Sequence, residues 1–266
     1  MLPLIDGDII RYRIGWACEY DVYTDVDTGQ EFRGIKAYKD WLKESEKSIE
    51  DVDFTVDHVL DPIENCLHSV KHTIDFIRRR CKSKKYVIYL TGKNNFREKL
   101  ATIKKYKGNR PDLKPTHYKD ITDYLINVHG AIVIDGMEAD DAMAIYQSAM
   151  PNTCIVSTDK DLKQIPGWHF NFVNDEFVKV EEFEGLKFLY QQILTGDATD
   201  NIQGIPGVGE KGAQKALEGC ETEEDLLRVV KDMYIEKIGK GWQDVLTETA
   251  NLVYMLRYEG DKWEMK

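Results

Sequence analysis

Three short apolar runs in this chain each run straight into acidic residues: LPLID at 2–6, AIVID followed by MEADD at 131–141, and TCIVS followed by TDKD at 153–161. A continuous apolar run of this length is the mark of a strand buried on both faces, as in a parallel sheet. In open parallel sheets the carboxyl ends of the strands form the crevice in which function collects. The repeated pattern therefore predicts both a fold and a rim, with carboxylates from separate strands gathered in one place. KYVIYL at 85–90 reads as a further strand, and HFNFV with FVKV as an edge hairpin around Asn174 and Asp175. In residues 62–81, Ile63, Leu67, Val70, Ile74 and Ile77 recur by four and three, an amphipathic helix with Pro62 in its first turn. Helices are also expected near 39–47, 118–128, 183–194 and 242–258. The predicted fold class is α/β, with a mostly parallel central sheet flanked by helices.

A different pattern occupies residues 196–217, GDATDNIQGIPGVGEKGAQKAL. Asp197 and Asp200 precede a glycine turn in which Gly207 and Gly209 suit positive φ and leave amides open to an anion. Pro206 fixes φ just before it. The helix expected from Glu210 then points its free N–H groups the same way, with Lys211 and Lys215 adding charge beside Gly212. Thr222 to Asp225 form a capping box for a following helix. Two domains are expected: residues 1–183, carrying the carboxylates, and a helical residue set 184–266 carrying the glycine turn.

The net charge of −11 argues against a polyanionic partner only if it is evenly spread. It is not: between positions 78 and 110 there are 13 basic residues against the single acid Glu98. Apolar content of 42% with mean hydropathy −0.47 gives a globular chain. It contains no apolar run long enough to span a bilayer and no signal-like leader, so a cytoplasmic location without membrane association is expected. The five cysteines, widely spaced and without a CxxC pair, read as reduced thiols.

Glu138, Asp140 and Asp141 follow the 131–135 strand. Glu138 and Asp141 share a helix face, whereas Asp140 lies about 200° from Glu138, so all three converge only if Glu138 sits at the strand-to-helix turn. Asp159 and Asp161, two apart, point one way along extended chain. Asp6, Glu138, Asp140, Asp141, Asp159, Asp161, Asp197 and Asp200 are the candidate metal ligands, with Asp8 as an extra carboxylate. So many carboxylates in one crevice require cations, and an oxygen-only set without His or Cys selects a hard ion, Mg2+ or Mn2+.

These motifs together resemble the 5′-nuclease superfamily of flap endonucleases and 5′→3′ exonucleases, most of all its small phage-encoded members. The resemblance rests on Asp6-Gly7 followed by Tyr12-Arg13, Tyr106-Lys107-x-Asn109-Arg110, Glu138-Ala139-Asp140-Asp141, Asp159-Lys160-Asp161-Leu162, and the I-P-G-V-G-x-K-G-A turn, and it covers about residues 2–15 and 85–217. It implies a PIN-like nuclease fold with a C-terminal helix-hairpin-helix. It also implies cleavage of DNA from 5′ ends by a pair of Mg2+ or Mn2+ ions, with flap cutting as a related activity. Lys107 and Arg110 become catalytic candidates at the scissile phosphate; Arg97, Gly207, Gly209, Lys211, Gly212 and Lys215 become DNA-binding candidates, with K+ as a further ion at the hairpin. The implied substrate is double-stranded DNA with 5′ ends, nicks or flaps, or an RNA:DNA hybrid. One departure stands out: the second strand ends in Tyr89-Leu90-Thr91-Gly92 with no acid. Two other readings remain open at this point, a catalytically impaired structure-specific DNA-binding protein and a haloacid-dehalogenase-like phosphatase built on Asp6-Gly7-Asp8.

Overall fold

The structure, a computed structural model, describes residues 1–265. Along the chain the elements are β1 (Leu2–Asp6), α1 (Gly7–Ala17), β2 (Glu19–Asp25), β3 (Glu31–Arg33), α2 (Ile35–Glu44), β4 (Phe54–Leu60), α3 (Ile63–Arg80), β5 (Val87–Thr91), α4 (Phe96–Leu100), α5 (Tyr118–Asn127), β6 (Ile132–Ile134), α6 (Ala139–Ala149), β7 (Thr153–Val156), β8 (Gly167–Asn171), β9 (Glu176–Val180), α7 (Glu182–Thr195), β10 (Gly196–Asp197), β11 (Ile202–Gln203), α8 (Glu210–Ala216), α9 (Glu223–Ile238) and α10 (Trp242–Val253). They form two compact units, one of residues 1–9, 76–112 and 129 onward, the other of residues 10–75 and 113–128.

In the first unit a six-stranded sheet runs in the order β6-β5-β1-β7-β8-β9. Every pairing is parallel except β8 with β9. Leu4, Ile5, Ile88, Leu90, Ile155 and Val156 are fully or almost fully buried. Removing each such side chain from water contributes about 1.5–3 kcal/mol. Because β1 pairs in register with both β5 and β7, the carboxyl ends of these strands lie along one rim.

The helices α7 to α10 pack around Leu189, Ile193, Leu217, Leu226, Val230 and Leu246. The expected boundary at 183/184 is corrected here: these helices belong to the same compact unit as the sheet. A buried polar link explains why. Gln164, wholly buried, donates to Gln192 Oε1 (2.6 Å) and the Val253 carbonyl (2.7 Å) and accepts from Met255 N (3.0 Å). Leaving such groups unpaired inside costs more than the bonds themselves contribute, so the segments stay together. The last helix ends at Val253, short of the expected 258, and the chain then leaves in extended form.

The second unit contains an antiparallel sheet in the order β3-β2-β4. The turn expected at 27–30 joins β2 to β3, with Gly29 at φ +68°. Tyr38 from α2 packs among Phe32, Tyr23, Trp41 and Phe54 and donates to Asp25, which also accepts from Thr28 N and Oγ1. The helix expected at 39–47 starts earlier, at Ile35, because this aromatic contact lies on its first turn. Cys18 and Cys66, 48 positions apart, form a disulfide with Cα atoms 6.2 Å apart, which corrects the expectation that all five cysteines are free thiols. Cys81, Cys154 and Cys220 are free and buried. No helix among the described residues is long and apolar enough to cross a membrane.

The two-residue strands β10 and β11 hold Asp197 in place, and two glycines make their close approach possible. A Cβ on Gly204 would fall 2.2 Å from the Thr195 carbonyl carbon, and Gly196 sits at φ +65° with Gly204 N 2.3 Å from the equivalent point. Gly204→Ala is expected to lower unfolding free energy by about 2–4 kcal/mol, because backbone and not a pliable side chain lies in the way; a denaturant melt followed by circular dichroism measures it.

Candidate active site

Asp6 ends β1 and is 3% exposed. Its Oδ1 accepts from the amides of Asp8 (3.0 Å) and Ile9 (3.1 Å), capping α1, and its Oδ2 accepts from Ser157 Oγ (2.9 Å) after β7. Asp8, in the first turn of α1, accepts from Thr91 N at 3.2–3.3 Å. A carboxylate therefore does stand at the end of β5, although it comes from another element. Thr91 Oγ1 in turn accepts from Ala139 N (2.9 Å) at the start of α6.

Glu138 is the N-cap of α6, the strand-to-helix position that convergence required, and Asp140 follows in the first turn. Asp141 takes another course. It is wholly buried, its oxygens meet Arg97 Nη1 (2.5 Å) and Nη2 (2.9 Å), and they also accept from the amides of Glu138 (3.2 Å) and Leu256 (3.3 Å). Arg97 is 1% exposed and donates further to the carbonyls of Leu252 (2.9 Å) and Tyr254 (2.7 Å). Two expectations are thereby corrected: Asp141 has no oxygen left for a metal, and Arg97 does not face solvent where DNA could meet it. Sequence spacing alone placed Asp141 on the face of Glu138; the capping box turns that face into the protein.

Asp159 Oδ1 accepts from Asp161 N (2.8 Å), and Asp161 Oδ1 accepts from Gln192 Nε2 (2.8 Å). Asp197 Oδ1 accepts from the amides of Thr199 (2.7 Å) and Asp200 (3.2 Å). The segment carrying Lys107 and Arg110 is stitched to the 198–201 turn. Asn109 Nδ2 donates to Ala198 O (2.8 Å), Arg110 Nε to Thr199 O (3.1 Å), Lys107 N to Asp200 O (2.8 Å), and Asn201 Nδ2 to Lys105 O (2.9 Å). Lys107 adopts φ +53° and sets its ammonium on Glu138, 3.7 Å from Asp200; the Arg110 guanidinium lies on Asp200. Tyr106, buried, places its hydroxyl 2.9 Å from Glu138 Oε2 and 2.8 Å from Asp200 Oδ2. Tyr106 entered the sequence analysis only as the first residue of the Tyr-Lys-x-x-Arg motif, without a role of its own, yet it spans two carboxylates that lie 62 positions apart in the chain.

The electrostatics follow from this crowding. Burial, then Asp8 and Asp159, push Asp6 up to about 7. Burial, then Asp159 and Asp197, push Asp161 to about 7. Asp140 is raised well above the usual carboxylate range by burial and by Asp6, Asp159 and Glu138; Asp159 is raised by burial and by Asp200 and Asp197. Burial would raise Glu138 too, but the Lys107 and Arg97 cations outweigh it and hold it low. Among the described residues no three acidic, histidine or cysteine side chains close up into a cage for an ion by themselves. The donor set nonetheless suits a hard divalent cation: every charged donor is a carboxylate oxygen, and their mutual repulsion is what a cation relieves.

In the glycine turn, Gly207 has φ +80°, as expected, whereas Gly209 has φ −97° and ψ 179° and caps α8 in extended form. The expectation of positive φ at Gly209 is corrected; a Cβ at either glycine would meet nothing within 4 Å, so the turn is open to solvent. Lys211, Gly212 and Lys215 are exposed on α8, which Ala213 and Leu217 anchor.

No family model matches the chain. It is 30% identical over 168 residues to a 5′-3′ exonuclease of Buchnera aphidicola, covering 55% of this chain and 57% of that protein. It is 28% identical over 162 residues to flap endonuclease Xni of Shewanella frigidimarina (48% and 62%). It is also 30% identical over 141 residues to DNA polymerase I of Pseudomonas aeruginosa (47% and 15%). The chain thus spans less than two thirds of each of these relatives. Among solved structures, a bacteriophage T5 D15 flap endonuclease complex with DNA and metal ions shares the fold over 95% of this chain and 88% of that one, at 17% identity and TM-score 0.62. A zinc-bound T5 5′-exonuclease gives 0.60 at 17% identity over the same shares.

The raised carboxylates set a pH dependence. Asp6 and Asp161, near 4 when unfolded and about 7 when folded, bind more protons in the folded state between those values, so stability falls as pH rises from about 4 to about 7 and then levels. In EDTA the melting temperature is expected to be higher at pH 5 than at pH 8, and added Mg2+ to raise it more at pH 8; a thermal-shift series measures both. Arg97→Ala, which strands Asp141 as a buried charge, is expected to cost about 3–5 kcal/mol of stability by denaturant melt at any metal concentration.

Proposed function

We propose that this chain, similar over about half of its length to a 5′-3′ exonuclease and to a flap endonuclease, is a metal-dependent 5′→3′ exonuclease with flap-cutting ability, acting on double-stranded DNA. The observation that carries this reading is the placement of Asp6, Glu138, Asp140, Asp159, Asp161, Asp197 and Asp200 so close that most shift one another's protonation, beside the Lys107 and Arg110 cations. Asp8 joins the set through its seat on the Thr91 amide. Mg2+ or Mn2+ held by these oxygens would supply an ionised water at neutral pH and charge stabilisation for a phosphodiester.

The chain's own groups do the rest. Lys107 and Arg110 bring a point charge and a two-pronged donor into the crevice, and an entering phosphate competes for them with Glu138 and Asp200. Tyr106 fixes the separation of those two carboxylates from the inside. The 207–209 turn, open and flanked by Lys211 and Lys215, suits the backbone of a duplex, with K+ as a further ion there. Only seven residues separate Arg110 from α5, too few for a long helical arch, which favours removal of short products from 5′ ends and nicks over threading of long flaps. RNA:DNA hybrids present the same 5′ ends and are included in the proposed substrate range. The rival reading as a phosphatase uses Asp6 and Asp8 but leaves Lys107, Arg110 and the glycine turn without a purpose.

Cleavage of a duplex labelled at its 5′ or 3′ end, beside a 5′-flap version, in Mg2+ and in EDTA, tests the proposal. Mg2+-dependent loss from the 5′ end is expected. A duplex shifted on a native gel but uncut in both Mg2+ and Mn2+ would make the chain a binder only. Asp159→Ala should lower cleavage by about a thousandfold or more while keeping duplex affinity. Lys211→Glu should weaken duplex binding and reduce the slope of affinity against salt by about one.

A further inference from the structure

We propose that the cleft at the amino-terminal ends of β1, β5 and β7 docks an acidic peptide segment of a partner protein, one that carries apolar side chains among its acids. The cleft, of about 450 Å3, is lined by Leu2, Tyr146, Met150 and Pro151 on its apolar side and by Lys82, Lys84 and Lys85 on its rim. It lies within the first unit, at the end of the parallel strands opposite Asp6 and Ser157, so it is separate from the carboxylate crevice.

Three observations point to this occupant. First, charge: Arg79, Lys82, Lys84 and Lys85 have no acidic partner among the described residues, although the chain carries 47 acids for 36 basic residues. Uncompensated cations gathered this tightly in an acidic chain create a local field that attracts a polyanion. Second, the loop is built. The end of α3 closes with Ser83 N on Arg78 O (3.0 Å) and Lys82 N on Arg79 O (3.1 Å), while Ser83 Oγ bridges to Lys85 O and N. Lys82 holds φ +50°, the left-handed position that ends helices and that glycine fills with least strain. A lysine there accepts backbone strain and sets a cation at the rim. Third, the floor is apolar: Met150 is 49% exposed beside Pro151 and Leu2. A duplex backbone offers nothing to such a floor, whereas an acidic peptide with Phe or Leu side chains matches both parts.

The test uses the full chain and fluorescence anisotropy with three labelled probes: a peptide of acids interrupted by Phe, the same peptide with each Phe replaced by Ser, and a DNA duplex. The Phe peptide is expected to bind about tenfold tighter than the Ser peptide, and the double variant Lys84→Glu, Lys85→Glu to weaken it by at least about tenfold while leaving duplex affinity and any cleavage unchanged. Lys82→Gly should raise the melting temperature and weaken peptide binding together, a pairing that a structural role for Lys82 would not produce. Equal binding of the two peptides would reduce the cleft to a charged surface and overturn the proposal. So would loss of duplex binding in the double variant to the same extent as peptide binding, which would make this face a nucleic-acid contact. Absence of peptide binding to the wild-type chain would overturn it outright.

Discussion

The repulsion among buried carboxylates is the constraint to which the rest of the first unit answers. Asp6, Asp140, Asp159 and Asp161 are each pushed upward by burial and by neighbouring carboxylates, which is a direct cost to the folded state near neutral pH. The surrounding structure offsets part of that cost with oriented donors: two amides and a serine on Asp6, a glutamine on Asp161, two amides on Asp197, and a tyrosine hydroxyl with a lysine on Glu138. On Asp6 and Glu138 such donors favour the ionised form and so oppose the upward push of burial. A site arranged this way is strained until cations enter, and that strain is the physical link between the fold and the proposed chemistry.

Positioning of the cluster depends on groups that never face the crevice. Arg97 and Asp141 form a buried pair whose further bonds reach Leu252, Tyr254, Leu256 and the amide of Glu138. A buried ion pair is poor evidence of stability, since its desolvation cost is large. Its use here is geometric: it fixes the start of α6, and hence Glu138 and Asp140, against the segment that follows α10. The segment from Leu252 to Leu256 therefore sets the angle of Glu138 and Asp140 without supplying an acid to the crevice.

Much of this was legible from the sequence, and the limits have physical causes. Short apolar runs ending in acids marked β1 and β7, because strands buried on both faces have few sequence alternatives; the run at 131–135 marked β6 as well, although β6 is an edge strand with Ile132 and Val133 about half exposed and not the doubly buried strand expected. The helix at 62–81 and the 27–30 turn were equally readable. The strand β4 was not, since its residues are mostly exposed and follow an acidic, low-periodicity stretch. Among the acids, spacing could not tell Asp141 from Asp140, because what separates their roles is a partner 44 positions away. The pairing of Cys18 with Cys66 and the bridging by Tyr106 are likewise set by tertiary approach. Asp8 is the instructive middle case: the second strand lacked an acid, and the carboxylate beside its last amide comes from the first turn of α1.

The two ends of the parallel sheet carry opposite charge for a reason rooted in chain direction. In a parallel arrangement each helix leaves a strand at the carboxyl end and returns to the next at the amino end. The positive ends of α1 and α6 therefore lie at the rim that holds Asp6, Asp8, Glu138 and Asp140, and the negative end of α3 lies at the rim that holds Arg78, Arg79, Arg80 and Lys82. Helix dipoles stabilise both groups of charges before any ligand is considered. At the acidic rim this background is far exceeded by crowding, which calls for cations. At the basic rim the side chains outnumber what one helix end can use, and the lysines that remain, standing over an apolar floor, are what distinguish a docking surface from an ordinary helix terminus.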